Sequence, residues 1–104
     1  MYKLYLDDER IPTYKGWIVV RSFTEFVETI SKNGLPNEMS LDHDLGKNVD
    51  TGKLLPTGMD CLKWLIYDQQ FDISGVNINI HSSNYPAKLN MESFIKSYIR
   101  SLKL

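Results

Sequence analysis

Three short polar clusters hold the residues best suited to chemistry. Asp7-Asp8-Glu9-Arg10, Asp42-His43-Asp44 and His81-Ser82-Ser83-Asn84 contain four of the eight aspartates and both histidines of the chain. Carboxylates gathered in one place repel one another, and a bound cation relieves that repulsion. An oxygen-rich set suits Mg²⁺ or Mn²⁺, so Asp7, Asp8 and Asp42 are candidate metal ligands. Imidazole serves as acid or base near neutral pH. His43, flanked by two aspartates able to orient a ring nitrogen, is the stronger candidate, and His81 is the second. Their spacing forms no recognisable zinc motif. Ser82, Ser83 and Asn84 offer hydroxyls, an amide and turn N–H groups suited to a phosphate or an oxyanion. Arg10 and Arg21 either grip phosphate through paired N–H groups or neutralise the nearby aspartates. The plainer readings are turn-forming aspartates, a packed histidine and an ordinary Ser-Ser-Asn turn.

These clusters need elements to bring them together. Lys3 to Leu6 and Trp17 to Val20 are short apolar runs that halt at Asp7 and Arg21 and read as buried strands. Ile11-Pro12 and Gly16 make the stretch between them a loop. Ser22-Phe23-Thr24-Glu25 has the form of a capping box, and Phe23, Phe26, Val27 and Ile30 continue it as a helix ending near Asn33-Gly34. Glu38 to Leu41 reads as a strand running into Asp42. Gly46 to Gly58 is a long aperiodic loop, of a kind that is often functional. Thr57 caps a helix carrying Met59, Leu62, Leu65 and Ile66, where Cys61 is expected in the core. Val76, Ile78 and Ile80 alternate as a strand stopping at His81, and Asn90 is the expected cap of a last helix with Met91, Phe94, Ile95 and Tyr98 on its stripe. Strands alternating with helices imply a mostly parallel sheet, which binds ligands at the carboxyl ends of its strands. If the strands are parallel neighbours, all three clusters meet on one rim. Tyr14, Trp17 and Tyr85 fall near the loops or the rim, where one of them could stack on a base.

Composition narrows the partners. The chain has 104 residues, enough for one domain over residues 1–104. Twelve Lys and Arg against thirteen Asp and Glu give a formal charge of −1, which supplies no field for a long nucleic-acid duplex or an anionic membrane. The expected partner is a small phosphorylated ligand or an RNA terminus. A single cysteine excludes an internal disulfide framework. No signal peptide or spanning segment is recognisable, so the expected location is cytoplasmic, or the host cytoplasm if the chain is phage-encoded.

Taken together, Leu6-Asp7-Asp8-Glu9-Arg10, Trp17-Ile18-Val19-Val20-Arg21-Ser22, Ser40-Leu41-Asp42-His43-Asp44-Leu45-Gly46, Thr57-Gly58-Met59-Asp60-Cys61, His81-Ser82-Ser83-Asn84 and Asn90-Met91 resemble the cyclic-phosphate processing receiver domain family. The resemblance covers nearly the whole chain. It implies a small receiver-like, flavodoxin-like α/β fold of three layers with about four mostly parallel strands. It also implies an association with nucleotide or RNA-end metabolism and with conflict between phages and bacteria. Asp7 and Asp8 fall where receiver domains hold their metal-binding acidic pair, Asp42 where they hold the phosphorylated aspartate, and Ser82 where they hold Thr or Ser. The chain also departs from receivers. Its first crossover helix is reduced to a loop, no fifth strand carrying the usual receiver lysine can be assigned, and Lys88 is the only nearby substitute. With His43 and Asp44 added, these departures point from phosphorelay toward hydrolysis.

The expected activity is a phosphodiesterase opening a cyclic phosphate on a nucleotide, an RNA end or an ADP-ribose-like metabolite. Asp7, Asp8 and Asp42 would hold Mg²⁺ or Mn²⁺. His43, oriented by Asp44, would activate water, and His81 would protonate the leaving alkoxide, or the two would exchange roles. Arg10, Arg21, Ser82, Ser83 and Asn84 would bind the phosphate, and the Gly46–Thr57 loop with Lys47 and Lys53 would close over it. The alternatives are a module that binds such a ligand without turnover, a phosphoacceptor receiver, and a structural protein whose acidic rim caps strands.

Overall fold

A computed structural model describes residues 1–102; the last two residues of the expected domain lie outside the described residues. Four strands, β1 (Lys3–Leu6), β2 (Trp17–Val20), β3 (Glu38–Leu41) and β4 (Asn77–Ile80), form one parallel sheet in the order β2-β1-β3-β4. Helix α1 (Phe23–Asn33) lies between β2 and β3, α2 (Gly58–Lys63) between β3 and β4, and α3 (Tyr85–Ser101) follows β4. This is a small α/β domain of receiver-like, flavodoxin-like topology. The register aligns Leu6 with Val20 and Leu41, and Leu41 with Ile80, so the strands end level.

Local chemistry sets the helix ends. Ser22 accepts from the Glu25 amide, while Glu25 reaches one residue further back than a capping box requires, to the Arg21 N–H at 2.7 Å. Gly34, at φ +78°, closes α1 by donating to Ile30. Thr57 and Asp60 form a full capping box on α2, which runs on as one π-helical turn, Trp64–Asp68. The third helix begins six residues earlier than expected. Its cap is Asn84, which accepts from the Ala87 N–H, and Pro86 fits the first turn, where its missing N–H leaves no bond unmade.

Alternate strand residues divide the two faces of the sheet. Leu4, Leu6, Val20, Met39, Leu41 and Ile80 pack in one buried cluster with Phe26 and Ile30 of α1, Cys61 and Leu62 of α2, Leu65, and Met91 of α3. All three helices therefore cover the same face. The connections β2 to β3 and β3 to β4 cross the sheet in one direction, and right-handed crossovers place both on that side. The β1 to β2 connection runs the other way and contains no helix. The three layers expected are thus two among the described residues, and no fifth strand is present among them. Among the described residues no helix is long and apolar enough to cross a membrane.

Candidate functional site

The direction of crossover reverses between β1 and β3, which opens a crevice at their carboxyl ends. The ladder continues one residue past each strand: Asp7 N–H donates to Val20, Asp42 N–H to Leu6 and His81 N–H to Leu41, at 2.9–3.1 Å. Those bonds bring Asp7, Asp42 and His81 side by side on the rim. One ligand-capable atom from each lies within 4.8 Å of the others.

Asp7 is the hub. It is 1% exposed, and its Oδ1 accepts from the N–H groups of Glu9 at 2.9 Å and Arg10 at 2.8 Å. Its Oδ2 meets Arg10 Nε at 2.9 Å and His81 Nε2 at 3.0 Å. Burial alone pushes the carboxyl up, but the two amides, His81 and the guanidinium outweigh it and hold the carboxyl below the ordinary carboxylate range. Arg10 also approaches Asp42 Oδ2 at 3.5 Å, and Asp42 Oδ1 accepts from the His43 N–H at 2.8 Å. The guanidinium feels burial in the opposite sense, yet Asp7 and Asp42 raise its pKa and keep it charged. Arg21 turns to the backbone: its Nη1 donates to the carbonyls of Asp7 at 3.0 Å and Arg10 at 2.7 Å, tying down the loop that carries Arg10.

The second cluster forms its own chain. His43 Nδ1 lies 2.8 Å from Asp44 Oδ1, and Asn84 Nδ2 donates to Asp44 Oδ2 at 3.3 Å. The His43 hydrogen bond, opposed by burial and joined by Asn84, lowers the Asp44 pKa. An ionised Asp44 can only accept, so Nδ1 of a neutral His43 carries the proton and Nε2 holds the lone pair.

Asp7, Asp8, Glu9, Arg10, Asp42, Asp44, Gly46 and Ser83 line an open pocket of about 400 Å³. Of the expected site residues, neither His43 nor His81 lines the pocket; His81 sits behind Asp7 with both ring nitrogens engaged. Ser82 accepts from the Asn84 N–H, and Asn84 is occupied by α3 and Asp44. Lys47, Lys53 and Lys88 do not line the pocket. Tyr14 is 79% exposed and Tyr85 65%, both off the wall, while Trp17 packs edge-on against Tyr5.

Two contributors escaped sequence reasoning. Ser40, paired with Tyr5 and Asn79 in register, supports His81 from within the sheet; the alternation of β3 was the signal available for it. Gly58 opens α2 against the Asp42 carbonyl, and a Cβ there would lie 1.9 Å from that oxygen.

A parallel β2-β1-β3-β4 sheet with an acidic rim at its switch point defines a receiver-like domain. The chain belongs to the cyclic-phosphate processing receiver domain family, whose description matches it over residues 2–97. No curated protein and no solved structure shows a significant match to it.

Proposed function

We propose that the domain hydrolyses a cyclic phosphodiester, on a nucleotide, an RNA end or an ADP-ribose-like metabolite, to a phosphomonoester. The observation that carries this reading is the Asn84–Asp44–His43 chain beside a pocket holding Arg10. A base oriented by Asp44, which lines the same pocket as the Arg10 guanidinium, suits attack of water on phosphorus.

Five carboxylates and one guanidinium line the pocket. Such a wall repels a phosphate, and its hard oxygen donors fit Mg²⁺ or Mn²⁺. Asp8 and Asp42 would hold the ion: Asp42 Oδ2 makes only the 3.5 Å approach to Arg10 among the described residues, whereas both oxygens of Asp7 already accept hydrogen bonds. A cation bound there supplies charge neutralisation for the phosphoryl and departing oxygens. Arg10 uses two of its five N–H donors on Asp7 and Asp42, which leaves three for a phosphate oxygen. Ser83 also lines the pocket and adds a hydroxyl. His43 Nε2 takes a proton from water, the water oxygen bonds to phosphorus, and one P–O bond of the ring breaks. The departing oxygen takes a proton from solvent at the open mouth of the pocket.

The test is incubation of 2′,3′-cyclic nucleotides and ADP-ribose cyclic phosphate with the protein in Mg²⁺ or Mn²⁺, with products separated chromatographically. Monoester formation that disappears in His43→Asn supports the proposal. Intact substrates after long incubation, recovered from a tight complex, assign the domain to binding instead.

A further inference from the structure

We infer that Ser40 is a positioning residue that holds the His81 ring in place from behind and, through it, the orientation of Asp7 and Arg10. Ser40 Oγ lies 2.7 Å from His81 Nδ1, and Asn79 Nδ2 donates to Ser40 Oγ at 3.3 Å. On the far side of the ring, His81 Nε2 lies 3.0 Å from Asp7 Oδ2, which also receives Arg10 Nε at 2.9 Å.

For a neutral ring, one assignment of hydrogens satisfies every group in this chain. The Asp7 carboxylate accepts and cannot donate, so Nε2 carries the ring proton. Nδ1 is then the acceptor, and the Ser40 hydroxyl must donate to it. The Ser40 oxygen keeps a lone pair for Asn79. The other neutral tautomer would set the lone pair of Nε2 against the Asp7 carboxylate and leave the Ser40 hydroxyl without its acceptor. Tyr5 fixes the ring plane, stacked on His81 at 4.5 Å with 8° between planes.

A Ser–His–Asp sequence of contacts also invites a nucleophilic reading of Ser40, but Ser40 is 6% exposed and does not line the pocket. Its hydroxyl cannot meet a ligand in this arrangement. Its effect is carried by Asp7, whose Oδ2 would otherwise lose a fixed donor and loosen its hold on Arg10. As a role in catalysis this rests on the proposed hydrolysis; as an account of the hydrogen bonds it does not.

The experiment is long-range ¹⁵N–¹H NMR of the histidine rings in the wild type, Ser40→Ala and Asn79→Ala, with circular dichroism to confirm folding. The expected wild-type His81 is the Nε2–H tautomer with Nδ1 accepting a hydrogen bond, and in Ser40→Ala the Nδ1 ¹⁵N resonance should move to that of an unbonded acceptor while Asp7 keeps the proton on Nε2. Turnover of a 2′,3′-cyclic nucleotide should fall about 10–100-fold, as for other residues that support a functional side chain from behind. A wild-type Nδ1–H ring, one protonated on both nitrogens, or an Nδ1 resonance unchanged in Ser40→Ala overturns the inference. If Ser40→Ala does not fold, the wild-type tautomer and the milder Asn79→Ala decide it. Absence of turnover in the wild type would defeat the proposed reaction while leaving the tautomer result intact.

Discussion

Gly58 is the first residue of α2, and its N–H donates to the His43 carbonyl at 2.8 Å. A Cβ added there would meet the Asp42 carbonyl oxygen at 1.9 Å and Met91 Cε at 2.9 Å. The methionine can move, but the carbonyl belongs to the backbone that carries Asp42 and His43. Overpacking of this kind costs about 3 kcal/mol at the upper end of its common range. Alanine recovers at most about 1 kcal/mol over glycine in a helix, so Gly58→Ala should lose about 2 kcal/mol. For a domain of this size that lowers Tm by about 8–16 °C. Urea unfolding measures the loss, and Gly75→Ala is the control, because nothing lies within 4 Å of a Cβ at Gly75 and its φ is not positive. Wild-type stability in Gly58→Ala would refute the close packing of α2 on the Asp42 carbonyl.

Other outcomes follow from the same contacts. His43→Asn should reduce turnover by about 10²–10⁴-fold, the usual contribution of a positioned base, with an unfolding midpoint close to wild type. The Asp7 carboxyl is held below its ordinary value of 3.8, so its stabilisation is complete above that pH and is lost as the pH falls through the folded value; urea midpoints measured down the acid range should drop, with a shallower drop in Asp7→Asn. Asp7→Asn should itself cost about 3 kcal/mol near neutral pH, since it leaves buried donors facing an amide. Burial pushes the Cys61 thiol well above its ordinary pKa, so a thiol reagent should label it only after unfolding. Both oxygens of Asp42 face donors, and acetyl phosphate should leave no phosphoryl adduct detectable by mass spectrometry.

The strands were legible because each is a short apolar run ended by a charged or polar residue, and the order of elements followed from the alternation of periods. The rim was legible for the same reason: Asp7, Asp42 and His81 each follow a strand directly, and parallel register does the rest. The division of labour was not. Ser82, Ser83 and Asn84 look alike as a polar triplet, yet capping takes Asn84, a turn takes Ser82, and Ser83 alone reaches the pocket. Asn84 followed by Pro86 was the overlooked start signal for α3. The two histidines also look equivalent in sequence. They separate only in space, where His81 is enclosed by Ser40, Tyr5 and Asp7 while His43 keeps Nε2 without a partner among the described residues. The missing layer was unreadable for a related reason, since crossover direction depends on strand order and strand order is not written in any one segment.

The central claim is attack of water on the phosphorus of a cyclic phosphate, and ³¹P NMR of a 2′,3′-cyclic nucleotide in H₂¹⁸O tests it most directly. With Mn²⁺ withheld from the spectroscopic sample and Mg²⁺ present, the account predicts replacement of the diester resonance by a monoester bearing one ¹⁸O, at a rate abolished in His43→Asn. A diester resonance that persists unchanged, or a monoester formed equally fast by His43→Asn, would contradict it.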